Sequence, residues 1–338
     1  MKENRNKLSY LKKYSKQLQL GKIYYNLFAM PKGLIEKSYK RGFLNYYSDY
    51  RERRRMEDAV YSLPILNMNN NGNPLKIYFL TGEKYWYQSC FCAYSFINNV
   101  EEDIKPYFYD DGTLVKKYID EIKRIFPTCK IINKDKIEKD LDCFLPENEF
   151  PYLRYFRIEK PLLRKLTDIY IGSNDWKLFL DSDMLFFKNP EFLINWLKNP
   201  EYPCYMIDVK DSYGYSFKQM EIITNQKIPN LVNIGIMGFK SDDIDWYILE
   251  KWLKYLIENY GPRYNITQAL SAMLIAGNSS SVAPKEDYIV LPDQSESKEP
   301  TAVMHHYVAE SKPWYFQYAW KHIIEKRLND DYYKKNIK

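Results

Sequence analysis

The sequence predicts an α/β protein, with a mostly parallel sheet and helices on both of its faces. Three observations predict this. From residue 75 onward, short apolar runs of strand length alternate with longer runs of helical spacing. Asn69-Asn70-Asn71-Gly72-Asn73-Pro74 is a turn-rich break that separates this alternation from a basic, mainly helical opening segment. The apolar run 176–180 stops at Asp181-Ser182-Asp183 and then resumes as Met184-Leu185-Phe186-Phe187. In open α/β sheets, ligands bind beyond the carboxyl ends of the strands, where such a polar stop falls.

The elements follow in order. Residues 76–80 read as a strand, ended by Thr81-Gly82, and 85–96 as a helix. A second strand at 104–109 ends in Asp110-Asp111-Gly112, and a helix over 113–125 follows, with Thr113 as its expected N-cap. Residues 130–132 form a short third strand. Residues 152–169 read as a helix broken near Pro161, since proline lacks the amide that the helix needs. Asn233-Ile234-Gly235-Ile236-Met237-Gly238-Phe239 is apolar, and its small residues predict close approach by a ligand or another part of the chain. Residues 246–260 and 264–276 read as helices, and 292–300 as a loop. Domain bounds are expected at 1–74, 75–320 and, for a basic tail, 321–338.

Burying two carboxylates one residue apart is costly unless a cation lies between them. Strand alternation would put Asp181 and Asp183 on one face with Ser182 opposite. Two hard oxygen ligands suit Mg²⁺ or Mn²⁺ that also grips a phosphate. Thr81, Asp111 and Ser182 sit at the same set of strand ends and are candidate nucleotide contacts. His306 offers a third ligand, and an imidazole beside carboxylates favours Mn²⁺. Lys312, six residues on, can neutralise a departing diphosphate.

Composition excludes other classes. No Gly-x-Gly-x-x-Gly or Walker loop is present, against a dinucleotide enzyme or a P-loop NTPase. The five cysteines lack zinc spacing and read as free thiols of a reducing cytosol. No apolar run reaches membrane-spanning length. Residues 1–60 carry 15 Lys/Arg against 6 Asp/Glu, while the whole chain has a net charge of +6. Leu8, Leu11, Tyr14 and Leu18 recur there at helical spacing between lysines, so peripheral contact with an anionic membrane is one expectation and a packed helical extension the other. No nucleic-acid-binding motif accompanies the charge.

The motifs together resemble those of the GT-A glycosyltransferases, and among them glycosyltransferase family 8, whose members are retaining and use UDP-sugars. That family carries a strand ending in Asp-x-Asp, then Asn-x-Gly, then a late His-Phe/Tyr-x-Gly-x-x-Lys-Pro-Trp. This chain has Asp181-Ser182-Asp183, Asn233-Ile234-Gly235 and His306-Tyr307-Val308-Ala309-Glu310-Ser311-Lys312-Pro313-Trp314. The resemblance covers about residues 75–316. It implies a GT-A (Rossmann-like nucleotide-diphospho-sugar transferase) fold. It also implies Mn²⁺ (or Mg²⁺) on Asp181, Asp183 and His306, with Lys312 on the diphosphate. Arg164 stands at the family's spacing for a donor-binding arginine, and Tyr85 where an aromatic meets the uracil. Ala309 stands where the family has a glycine that approaches the phosphates. Ile266-Thr267-Gln268 is the counterpart of an acidic Asp-Gln-Asp, so Gln268 and Asn233 would orient the sugar or the acceptor.

The function implied is transfer of a hexose from a UDP-sugar to a hydroxyl of a surface-glycan, glycolipid or lipopolysaccharide-type acceptor, with retention, in the cytoplasm. Two other readings are a sugar-phosphate nucleotidyltransferase and a non-catalytic glycan-binding protein on a decayed transferase fold.

Overall fold

The computed structural model describes residues 43–66 and 72–325. The chain divides into two compact units, residues 1–55 and 56–338. Most of the basic arm at 1–60, including the amphipathic pattern from Leu8 to Leu18, lies outside the described residues, as does the tail from 326. The account below concerns the second unit. Among the described residues no helix is long and apolar enough to cross a membrane.

The strands are β1 (Leu75–Thr81), β2 (Ile104–Asp110), β3 (Lys130–Ile132), β4 (Trp176–Leu180), β5 (Met184–Phe186), β6 (Cys204–Ile207), β7 (Val232–Lys240), β8 (Ser281–Ala283), β9 (Tyr288–Val290) and β10 (Met304–His306). One sheet runs β3-β2-β1-β4-β7-β6-β8, and a small one runs β5-β10-β9. The first four strands of the large sheet are parallel, as the strand–helix alternation predicts. β7 is the exception, antiparallel to both β4 and β6. The parallel strands end together, Thr81 opposite Asp110, and thus create a rim.

Alternation splits each strand between two cores. Ile77, Phe79, Leu178, Leu180 and Ile236 face one core, which also takes the helix Trp86–Ile97. Tyr78, Phe179, Met237 and Phe239 face the other, with the helices Trp246–Tyr260 and Ile266–Ile275. Covering both faces is what lets strands such as Trp176–Leu180 and Val232–Lys240 be apolar almost throughout.

Several elements differ from the expectation for physical reasons. The helix expected from 113 begins at Lys116. The Asp110 carboxylate accepts from the Gly112 and Leu114 amides, and Asp111 accepts from the Thr113 amide and hydroxyl, so 110–115 is held as a loop. The segment 292–300, expected as a loop, contains the helix Gln294–Lys298, N-capped by Asp293. The helices Lys134–Phe144, Glu191–Lys198 and Phe217–Thr224 were not anticipated, although Asn133 caps the first and Ser216 with Gln219 forms a capping box on the third. The break at Pro161 is present, as a 3₁₀ turn between Pro151–Glu159 and Arg164–Tyr170.

Glycine 238 carries the close approach that its size predicts. A Cβ there would lie 2.6 Å from Cζ2 of Trp196 and 2.8 Å from Cβ of Cys204. Both neighbours are buried, so Gly238→Ala should destabilise the fold by about 1–3 kcal/mol through overpacking. Urea unfolding checks this; an unchanged midpoint would show that the indole shifts freely.

Candidate functional site

The site begins with a turn. β4 stops at Leu180 and β5 starts at Met184, so Asp181-Ser182-Asp183 leave the strand rather than continue its alternation. The turn is fastened at both ends. The Asp181 amide donates to the carbonyl of Gly235 on β7 (2.8 Å), and the Tyr307 amide donates to the carbonyl of Asp183 (2.9 Å). The Tyr315 hydroxyl donates to the Ser182 carbonyl at 3.4 Å.

β10 then brings in the histidine. It lies antiparallel to β5 with His306 opposite Met184. His306 Nε2 is 3.2 Å from Asp183 Oδ1 and 3.7 Å from Asp181 Oδ2. One ligand atom from each of the three residues falls within 4.8 Å of the others. Gly235 makes room for the ring, because a Cβ at that position would sit 2.5 Å from Cε1 of His306. The small residue expected to admit a neighbour therefore admits the imidazole.

Charge is balanced from two sides. Lys165 Nζ lies 2.6 Å from Asp181 Oδ1 and 2.7 Å from Oδ2. Lys312 Nζ lies 3.0 Å from Asp183 Oδ2. Burial by itself would raise the Asp183 carboxyl, but the Lys312 charge and the hydrogen bonds from His306 and Lys312 outweigh it and hold Asp183 well below the usual carboxylate range. Reciprocally, the Asp183 charge raises Lys312, against its desolvation. Asp183 thus stays ionised at neutral pH. Two carboxylate oxygens and an imidazole nitrogen make a donor set that fits Mn²⁺ or Mg²⁺. Among the described residues His306 Nδ1 is buried without a hydrogen-bond partner, and Nε2 is the nitrogen aimed at the carboxylates.

The remaining sequence-derived candidates are distributed along the rim. Tyr85 is partly exposed, has the Lys84 ammonium 5.1 Å from its ring centre, and lies near enough to Lys312 to add to its field. Thr81 is buried, with its hydroxyl accepting from Ser89 at 2.9 Å. The Asp111 carboxylate is turned onto Gly82, where a Cβ would fall 2.0 Å from its Oδ1. Arg164 donates to the Asp111 carbonyl and, at 3.5 Å, to the Arg157 carbonyl. The next residue, Lys165, makes an ion pair to the Asp-x-Asp turn.

A second polar group adjoins the first through β7. Asn233 Oδ1 accepts from the Gly235 amide at 2.8 Å. Gln268 Nε2 donates to Asp208 Oδ2 (3.1 Å) and to the Val232 carbonyl (2.7 Å). Asp208 is buried and was not anticipated. Its signal was present, since it closes the apolar run Cys204–Ile207 as Asp181 closes Trp176–Leu180.

No family model matches the sequence, and no curated protein matches it. Solved structures do. The chain is similar to WbbM, a bifunctional glycosyltransferase in its apo form, with 12% identity and a TM-score of 0.52 over 77% of this chain and 50% of that one. It spans about half the length of that protein. It is also similar to the galactosyltransferase LgtC in complex with donor and acceptor sugar analogues, with 15% identity and a TM-score of 0.47 over 76% of this chain and 95% of that one. GlyE of Streptococcus pneumoniae TIGR4, a glycosyltransferase, gives 14% identity and a TM-score of 0.44 over 77% and 64%. What is shared at these identities is the fold, and it is the GT-A fold.

Ala309 has a φ of +44°, the left-handed region that a β-carbon disfavours. The resemblance puts a glycine there, and the backbone has kept the glycine conformation. Ala309→Gly should therefore raise stability, by about 1 kcal/mol. Thermal unfolding of the variant checks it; a lower melting temperature would mean that the methyl group packs better than the strain costs.

Proposed function

We propose that this protein is a glycosyltransferase that moves a hexose from a UDP-sugar to a hydroxyl of a surface-glycan or lipopolysaccharide-type acceptor, with retention. The observation that carries the reading is the Asp181–Asp183–His306 triangle, with Lys312 on its edge, at the carboxyl rim of a GT-A sheet. Asp181, Asp183 and His306 would hold Mn²⁺ or Mg²⁺. The cation supplies charge neutralisation at the donor diphosphate as the glycosidic bond breaks.

The chain's own groups divide the remaining work. Lys165 pairs with Asp181 and fixes the direction of its carboxylate. Lys312 is partly exposed, so it can turn from Asp183 toward the diphosphate and stabilise the charge that grows on the departing UDP. Tyr85, exposed beside Lys84, offers an aromatic face to the uracil. Asn233, Asp208 and Gln268 would orient the donor sugar and the acceptor hydroxyl, with amide groups able both to donate and to accept. In front-face attack the leaving phosphate takes the proton of the acceptor, a step that needs no carboxylate nucleophile. The net positive charge of residues 1–60 supports peripheral contact with an anionic membrane at its cytoplasmic face.

A panel of UDP-sugars, assayed for UDP release with Mn²⁺ and a glycan acceptor, tests the reading. Release of pyrophosphate from UTP and a sugar phosphate would identify a nucleotidyltransferase instead. Excess chelator and Asp183→Ala should each abolish transfer, and Lys312→Ala should lower turnover about 10²–10³-fold with a smaller effect on UDP affinity. Undiminished turnover in chelator would remove the metal from the proposal.

A further inference from the structure

Two histidines stand side by side on β10, and only one of them reaches the carboxylates. Neighbouring residues of a strand face opposite ways, so a slip of one position could put His305 where His306 stands and Met304 where His305 stands. His305 is fully buried on the far face, beside the Phe187 ring at 4.8 Å. Both of its ring nitrogens are engaged. Nε2 is 2.8 Å from Glu296 Oε1, and Nδ1 is 2.8 Å from the Tyr307 hydroxyl. A carboxylate can only accept, so Nε2 carries the proton and the Tyr307 hydroxyl donates to Nδ1. Glu296 is itself held by the Thr301 amide (2.7 Å), the Thr301 hydroxyl (2.7 Å) and the Ala302 amide (2.9 Å). Lys188, just beyond β5, donates to the Thr301 carbonyl. Tyr307 continues the chain of contacts, since its amide binds the Asp183 carbonyl and its ring packs 5.0 Å from Tyr315.

We propose that Glu296, His305 and Tyr307 form a buried latch that commits His305 to the far face of β10 and so delivers His306 to the cation site, with His305 acting as a positioning residue. In the slipped arrangement Met304 would face Glu296, which would lose its imidazole partner, and the Tyr307 hydroxyl would lose the ring nitrogen to which it donates. A buried carboxylate that loses its hydrogen-bond donor is costly, so the latch opposes the slip. The latch's side chains lie on the opposite side of β10 from the carboxylates and touch no ligand side chain, so the latch acts on the site through the strand and through the Tyr307 amide on the Asp183 carbonyl.

The inference rests on the reading of Asp181, Asp183 and His306 as a cation site. Mn²⁺ binding to the full chain, followed by the loss of the free-ion paramagnetic resonance signal, tests both and separates them. If the wild-type protein binds no Mn²⁺ at this site, the reading itself fails. If it binds, His305→Phe should weaken Mn²⁺ about tenfold or more, the range seen when supports of a metal ligand are removed. His305→Gln keeps one donor and one acceptor and should stay within about threefold of wild type. A merely structural histidine predicts lower melting temperatures in both variants with Mn²⁺ affinity unchanged, and that result would overturn the latch. Should His305→Phe fail to fold, Tyr307→Phe removes a single hydroxyl, and unchanged Mn²⁺ affinity there would overturn the latch equally.

Discussion

Two like charges one residue apart, at the inner end of a buried strand, are the constraint around which this protein is arranged. At an effective dielectric of about 20, two unit charges 4 Å apart interact by about 4 kcal/mol. That is a large fraction of the net stability of a typical domain, about 5–15 kcal/mol, so the repulsion cannot stand uncompensated. The compensation comes from distant parts of the chain. Lys165 approaches from the helix before β4, and Lys312 and His306 approach from the C-terminal end. β10 has to insert between β5 and β9 to deliver His306, and β7 has to be glycine at 235 to leave space for the ring.

β7 therefore has two duties that explain its odd composition and its odd direction. Running against its neighbours, it turns the carbonyl of Gly235 toward the Asp181 amide. On one side its glycine admits His306, and on the other, three residues along, Gly238 admits the Trp196 indole. The first contact shapes the site and the second shapes the core. The same strand carries Val232, whose carbonyl ties Gln268 and hence Asp208 to the rim.

Much of this was legible in the sequence, and the remainder was hidden for identifiable reasons. The parallel half of the sheet, the break at Pro161 and the polar stop at Asp181 and Asp183 could be read because local pattern dictates them, whereas His306, 123 positions from Asp183, is joined to them by the family resemblance and the need for a third ligand. An apolar run ending in carboxylates has few physical outcomes. The turn geometry at Asp181-Ser182-Asp183 could not be read, because contacts with Gly235 and Tyr307 fix it rather than strand period. The pairing of Lys165 with Asp181 depends on helix phase after a 3₁₀ turn, which no spacing rule supplies. The short helix Gln294–Lys298 was masked by the prolines around it, although Asp293 is a good cap. Ala309 is a case where chemistry and backbone disagree, since an alanine occupies the left-handed turn.

The sequence distance across the site has a consequence for how the protein comes into being. His306 is 123 positions from Asp183, so joining them closes a long loop, at an entropic cost of about 4 kcal/mol. Contacts of that separation form late in folding. On the ribosome the parallel sheet can assemble while residues 304–312 are still unmade, leaving Asp183 without His306 and Lys312. The chain thus gathers this cluster only once residues 304–312 are made, and a product that stops short of them can hold the parallel sheet while lacking the imidazole and the ammonium that face Asp183.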